Sequence, residues 1–333
     1  MDHLPEIPLI EAPEGPLQLA RLQPERTRSI LKKIHRLLPS PLLRWGDRYS
    51  EQWFERSANP YLPEIREIAG ILGKPGGYAL NFSFEMGCTT GCRAPDDRSA
   101  MQLYRSLDWP FRLGADVVVA RHQPPAGSYF NITWPGYVGV LTGLAPNRFA
   151  AAINQPPMTY SFDRFSLGLP LDWVVNRLRI RKLTGLPPVH LLRQAFDRCA
   201  TYEDAKDLLA KTPICIPVIY TLTGTKPGEG CIIERRENEA IIHEGPACIA
   251  NHWINDIFQG RPRRGANSRK RLAKMQDMLP YLQGRFDWLV PPVLCSFTRM
   301  AAELNAATGL LLLQGWHGDQ PQTAILELGP GLK

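Results

Sequence analysis

The chain lacks a disulfide framework. Its seven cysteines, at positions 88, 92, 199, 215, 231, 248 and 295, are an odd number scattered through 333 residues, the pattern of reduced thiols rather than of a stapled scaffold. Cys88 and Cys92 have the spacing of half a metal site, but no second pair and no His-x-x-x-His element completes it. That argues against zinc, and neither a metal nor another cofactor is expected. No stretch approaches the ~20 apolar residues of a membrane span. The first eighteen residues carry acids and prolines and no apolar run of signal-peptide length, so the expected compartment is the cytoplasm. Internal repeats and low-complexity tracts are missing too. The seven histidines are too dispersed to suggest a triad.

What is present is the composition of a globular protein with ample core, 44% hydrophobic and 21% charged. The net charge of +7 is concentrated in two places: Arg26, Arg28, Lys32, Lys33 and Arg36, and then Arg261 to Lys274. The second cluster has no interleaved aromatics and matches no nucleic-acid module, so it reads as a solvated face and no nucleic-acid partner is expected. In the first, Ile30, Leu31, Ile34, Leu37 and Leu38 recur at helical spacing between the basic residues. Such a helix either lies on an anionic membrane or packs its stripe on a core.

Along the chain, residues 1–23 read as irregular, 42–54 as a helix with Trp45, Tyr49 and Trp53 at four-residue spacing, and 63–72 as a helix stopped by Gly73 and Pro75. Residues 78–84 fit a helix or a short strand. Residues 116–120, 137–141 and 149–154 have strand character. Residues 156–186, rich in large apolar side chains, read as a long insertion covering a pocket. Helices over 188–199 and 202–211 precede an antiparallel meander of four strands ending at 248–252. Residues 268–282 and 293–307 read as helices, and 310–314 and 323–328 as final strands. Helix pairs flanking strands imply a layered α+β domain.

One stretch concentrates chemistry. Gly87-Cys88-Thr89-Thr90 is followed by the turn-forming Ala94-Pro95-Asp96-Asp97-Arg98, and then by Arg105 and Asp108, three positions apart. A hairpin here returns Arg105 and Asp108 to Cys88. There an arginine favours a thiolate and a carboxylate can orient an amine.

These residues, with Gly136-Tyr137-Val138-Gly139-Val140-Leu141-Thr142-Gly143, Gly224-Thr225-Lys226-Pro227-Gly228, Asn251-His252-Trp253 and Ser268-Arg269-Lys270-Arg271 in colinear order, make the chain resemble the N-acylethanolamine acid amidase and acid ceramidase family. More distantly it is similar to choloylglycine hydrolase and penicillin V acylase. The resemblance implies a four-layer αββα sandwich of the N-terminal-nucleophile hydrolase type. It implies self-cleavage between Gly87 and Cys88, leaving residues 1–87 as an α chain bound to a β chain of residues 88–333. The new α-amine then serves as base for the thiol beside it.

By the same resemblance Cys88 is the nucleophile, Arg105 holds the thiolate and Asp108 orients the amine. Asn154 and Asn251 offer amide N–H groups to an oxyanion. Arg269 ties the network together, with Arg271 as the competing assignment. The expected substrate is an N-acylated, lipid-like amine hydrolysed through a Cys88 thioester. Tyr137, Met158, Phe162, Phe165 and Trp173 are candidates for its pocket, though Met158, Phe162 and Phe165 serve equally well as core. One departure stands out: where the mammalian pattern has an acidic residue after the strand, this chain has Asn154-Gln155. Two rival readings are an acyltransferase that passes the thioester to an amine, and a non-catalytic relative that binds lipid.

Overall fold

The computed structural model describes residues 4–82, 86–158, 179–180, 182–260, 267–282 and 285–329. The first stretch is more regular than its prolines suggest, with β1 (Leu9–Glu11) and α1 (Pro16–Leu22). Four helices follow: α2 (Pro24–His35), α3 (Ser40–Arg56), α4 (Leu62–Leu72) and α5 (Gly77–Phe82). α4 ends where Gly73 takes the left-handed conformation, at φ 63°, which glycine adopts without a Cβ penalty. Then come β2 (Gly87–Arg93), β3 (Gln102–Asp108), β4 (Val118–His122), β5 (Tyr129–Thr133), β6 (Thr142–Ala145) and β7 (Phe149–Asn154).

The helices α6 (Pro188–Arg198) and α7 (Tyr202–Lys211) lead into β8 (Val218–Thr223), β9 (Gly230–Arg235), β10 (Ala240–Glu244) and β11 (Ala247–Ile249). Thr201 caps α7 by accepting from the Asp204 amide at 3.1 Å, with acids in the first turn and Lys211 in the last, as the helix dipole favours. α8 (Ser268–Met278), β12 (Thr298–Asn305), β13 (Leu310–His317), β14 (Gln320–Pro321) and β15 (Leu326–Leu328) complete the chain. No helix among the described residues is long and apolar enough to cross a membrane.

The strands form two sheets. One runs β1-β4-β5-β6-β7-β8-β9-β10; the other runs β11-β2-β3-β12-β13, with β14 and β15 both paired to β13. Their facing sides share one core, with Leu103, Leu107, Met300 and Ala302 from the second sheet and Ile132, Leu144, Ala150 and Ala152 from the first. Phe196 of α6 packs on the outer side of the first sheet, its ring centroid 4.8 Å from Tyr129 and 4.9 Å from Phe149. α8 lies so close to the second sheet that a Cβ on Gly91 would come within 2.6 Å of Leu279 just beyond it. The four layers are helix, sheet, sheet, helix, as expected.

Three expectations fail for identifiable reasons. Residues 293–307 read as a helix, but their centre is β12, in the middle of the second sheet. Its run Met300-Ala301-Ala302-Glu303-Leu304 is made of good helix formers, but seven of its eight residues are buried, and Glu303, on the face opposite Met300, accepts from the Phe286 amide and from Trp288 Nε1, so packing overrides local propensity. Residues 137–141 form a buried loop, held by Asn81, which donates to the Gly136 carbonyl (3.1 Å) and accepts from the Val138 amide (2.7 Å). The last strand of the expected meander is β11, which leaves it to pair with β2 in the other sheet.

Residues before Gly87 are woven into the rest of the molecule. β1 adds in parallel to β4, Leu9 facing Val119. Glu64 of α4 pairs with Arg193 of α6, both largely buried, and the Arg193 guanidinium also lies 4.3 Å over the Tyr61 ring. Trp53 donates to the Ile180 carbonyl at 2.9 Å. The amphipathic stripe of α2 (Thr27, Ile30, Leu31 and Ile34) is buried, and Lys33 pairs with Asp116. The core, not a membrane, holds that stripe.

Candidate active site

β2 and β3 are antiparallel neighbours, with Gly87 facing Asp108, Cys88 facing Leu107 and Thr90 facing Arg105. The hairpin expected from the turn residues therefore brings Cys88, Arg105 and Asp108 together. Cys88 and Arg105 are almost fully buried and Asp108 is 5% exposed. Thr90 and Arg105 point between the sheets, where both donate to Asn154 Oδ1 at the end of β7, Arg105 at 3.0 Å. Asp108 lies against the backbone of Gly87. A Cβ at position 87 would stand 3.2 Å from Asp108 Oδ2, a fit that glycine allows.

The backbone of Cys88 is held as firmly as its side chain. Its N–H leaves the strand ladder to donate to Asn251 Oδ1 at 2.9 Å, and its carbonyl accepts from Arg271 at 2.6 Å. Arg271 also donates to Asn251 Oδ1 (2.7 Å) and Thr89 Oγ1 (2.9 Å) and lies 3.6 Å from Asp108 Oδ2. Asn251 is fixed in turn: its side-chain amide donates to the Gln155 carbonyl at 2.7 Å and its backbone N–H to Ser268 Oγ at 2.8 Å.

Burial is the dominant electrostatic influence here. It pushes the Cys88 thiol above its ordinary range; Arg105 and, more weakly, Arg271 pull it back, while Asp108 pushes it further up. Arg105 acts on the thiol both as a charge and as a hydrogen-bonding neighbour. Its Nε and Nη2 have no oxygen or nitrogen acceptor among the described residues. Asp108 is likewise raised by burial, against Arg271, a hydrogen bond from Thr298, and Arg105. The intact chain thus holds a neutral thiol beside a buried carboxyl, with arginines ready to stabilise negative charge on either.

Two site assignments change. Arg269 is exposed on α8, whereas Arg271 is buried and makes the contacts described, so the network arginine is Arg271. Ser268, Arg271 and Met275 are the buried face of α8, at helical spacing, and that periodicity distinguishes the two arginines without a structure. Asn154 is not placed as an oxyanion donor. Its side-chain amide is committed to the Ala250 carbonyl (2.9 Å) and the Ile249 carbonyl (3.4 Å), and its oxygen to Thr90 and Arg105. Asn251, in the uncleaved chain, turns its oxygen rather than its N–H to Cys88.

Gln155, Ser268 and Thr298 went unrecognised as site residues in the sequence because they act through neighbours. Gln155 Oε1 accepts from the Met86 amide at 3.1 Å, so the neutral side chain standing in place of the acid fixes the approach to Gly87. Tyr137 and Met158 are buried, the Tyr137 hydroxyl without a partner among the described residues. Phe162, Phe165 and Trp173 lie outside the described residues. Among the described residues no cluster of metal-ligating side chains exists.

The chain is similar to several known proteins. The model of the acyl-coenzyme A:6-aminopenicillanic acid acyl-transferase family matches residues 169–287. Mouse acid ceramidase is 28% identical over 64% of this chain and 57% of its own length. The N-acylethanolamine-hydrolyzing acid amidase of Cavia porcellus is 28% identical over 68% of this chain and 61% of its own. The chain thus spans less than two thirds of each of these curated relatives. The solved Caenorhabditis elegans N-acylethanolamine-hydrolyzing acid amidase ortholog superposes with a TM-score of 0.50 at 18% identity, covering 72% of this chain and 99% of the nematode one. The fold is that of the N-terminal-nucleophile hydrolases. In sequence the chain is similar to acid ceramidase and to N-acylethanolamine-hydrolyzing acid amidase.

Proposed function

We propose that this protein is a self-processing cysteine amidase that cleaves N-acylated, lipid-like amines. The observation that carries the reading is the treatment of the Cys88 nitrogen. A structural strand cysteine needs its N–H only in the ladder, yet here that N–H is held by Asn251, with Arg271 on the adjoining carbonyl and Asp108 against Gly87. A site built around a backbone nitrogen suits a nitrogen that becomes a free amine.

In processing, the Cys88 thiol adds to the Gly87 carbonyl carbon, the Gly87–Cys88 C–N bond breaks, and water resolves the resulting thioester. The released α-amine has an intrinsic pKa of about 8 and acts as the general base. Asp108 and Asn251 Oδ1 accept its hydrogen bonds and fix its direction. In turnover Cys88 attacks the substrate amide, the amine leaves with a proton from the α-amine, and water releases the acid. Arg105 stabilises the thiolate, and Asn154 positions Arg105. Asn251 remains the candidate oxyanion donor, through the side-chain N–H that is not committed to the Gln155 carbonyl.

Residues 1–87 and 88–333 then form two chains that stay together, an expectation supported by β1 in the first sheet and by the Glu64–Arg193 pair. Membrane contact, on this reading, involves the turn between α2 and α3. There and along the first turns of α3, Leu37, Leu42 and Trp45 are 59%, 46% and 49% exposed beside the exposed Arg36, Arg44 and Arg48, a composition suited to an anionic surface. The experiment that tests the core of the proposal is mass spectrometry of purified protein under native and denaturing conditions. The wild type should give one assembly and two chains divided before Cys88, and Cys88→Ala a single inert chain. An uncleaved wild type that hydrolyses amides would refute the mechanism.

A further inference from the structure

Asp108 has two oxygens in different surroundings. Oδ2 faces Gly87 and Arg271, while Oδ1 accepts from Thr298 Oγ1 at 3.1 Å. Thr298 is fully buried at the start of β12, directly opposite Asp108, and the strand register slips between Thr298 and Met300. Its hydroxyl has a single proton and is already an acceptor, since the Cys295 backbone N–H donates to Oγ1 at 3.0 Å. The Thr298 N–H closes the loop by donating to the Cys295 carbonyl at 2.9 Å. With a lone pair so engaged, the proton has two acceptors in reach, the Asp108 carboxylate and the Cys295 sulfur at 3.7 Å. The carboxylate is far the stronger.

We propose that Thr298 is a positioning residue for Asp108: its hydroxyl, aimed by the Cys295 backbone, fixes Oδ1 so that Oδ2 faces the Cys88 nitrogen. The proposal rests on the amidase reading, in which Asp108 orients that nitrogen as its carboxylate. The hydrogen bond favours this charged form against the burial that opposes it, together with Arg271 and Arg105. The other charged or titratable groups at Asp108 are Arg299, Cys295 and Cys88; the Cys295 thiol is a second hydrogen-bonding neighbour of the carboxyl, a weaker donor than a hydroxyl.

The test compares Thr298→Val, which keeps the shape and loses the hydroxyl, with Thr298→Ser, which keeps the donor. The readouts are the rate of chain cleavage and the pH profile of kcat/KM on an N-acyl amide. In Thr298→Val the acid limb should move upward by about one pH unit, with about tenfold loss on that limb, and Thr298→Ser should restore the wild-type profile. A folded Thr298→Val with the wild-type limb would overturn the assignment. Cys295→Ala, which removes the thiol but leaves the backbone donor, should keep the limb in place. If Thr298→Val does not fold, Cys295→Ala decides: a shift as large as that expected for Thr298 would make the thiol the partner and overturn the proposal, and an unmoved limb supports it. An inactive, uncleaved wild type refutes both readings, whereas an active wild type with unmoved variants refutes this one alone.

Discussion

Two histidines remote from Cys88 should govern how the fold responds to acid. His122 is 2% exposed in β4, with Nδ1 against the Ala12 carbonyl at 2.8 Å. His190 is fully buried in α6, with Nδ1 accepting from Asn59 at 3.1 Å and its ring 5.8 Å from that of Phe54 and 5.1 Å from that of Tyr61. Burial, with the charge of Arg193, lowers them to about 4 and about 3. Both are neutral in the fold at pH 6, whereas in the unfolded chain they titrate near 6.5. As pH falls below ~6.5 the unfolded chain takes up protons that the folded one refuses, so stability is lost until the folded values are reached. At pH 5.5 each histidine costs about 1.4 kcal/mol, roughly 2.7 kcal/mol together, and at pH 5 about 4 kcal/mol together. A domain of 5–15 kcal/mol total stability would notice.

Buried carboxyls such as Asp108, Asp197 and Glu303, all raised by burial, act in the opposite sense. The diagnostic quantity is therefore a difference. His122→Gln/His190→Gln keeps a side chain able to make each hydrogen bond and removes the titration. Urea unfolding of Cys88→Ala and of Cys88→Ala/His122→Gln/His190→Gln at pH 7.5 and 5.5 isolates the term in single chains. The parent should lose about 2.7 kcal/mol more than the glutamine variant between the two pH values. Parallel losses in the two proteins would refute the argument.

Two further outcomes are expected. Arg271→Met should slow chain cleavage by at least tenfold, because it frees the Cys88 carbonyl and Asn251 Oδ1 and removes the closest cation on Asp108 Oδ2. Arg269→Met should leave cleavage within about twofold of wild type, as expected of an exposed site; equal effects in a gel-based cleavage time course would overturn the assignment. Trp45→Ser/Leu42→Ser should weaken sedimentation with anionic vesicles several-fold, while neutralising Lys33, already paired with Asp116, should not; unchanged vesicle binding by the double variant would dismiss the α2–α3 turn as the contact.

The site was legible wherever chemistry depends on neighbours in sequence. Turn residues between β2 and β3 were enough to return Arg105 and Asp108 to Cys88, and the amphipathic helices were visible from their spacing. Legibility failed where packing overrides local propensity, as in β12, whose helix-forming Met300-Ala301-Ala302-Glu303-Leu304 lies inside a sheet. It failed again where position depends on distant packing. Nothing local says that residues 247–249 abandon the meander for β2, or that Thr298 stands opposite Asp108. Arg269 and Arg271 form the intermediate case, since the phase of α8 separates them once it is counted from Ser268.

If the chain is cleaved before Cys88 as proposed, β1 carries a consequence for the life of the molecule afterwards. Its partner β4 lies some hundred residues further on, beyond Cys88. While the chain is whole, that strand is tethered, and a transient opening recloses as an intramolecular event. Once the Gly87–Cys88 bond is cut, nothing covalent limits how far the strand and its helices can drift. Reassembly then competes with dilution and with self-association of the edge of β4, an exposed ladder without a cover. On the proposed reading the uncleaved chain recloses reversibly, whereas the lifetime of the cleaved form is set by its rate of opening rather than by its equilibrium stability.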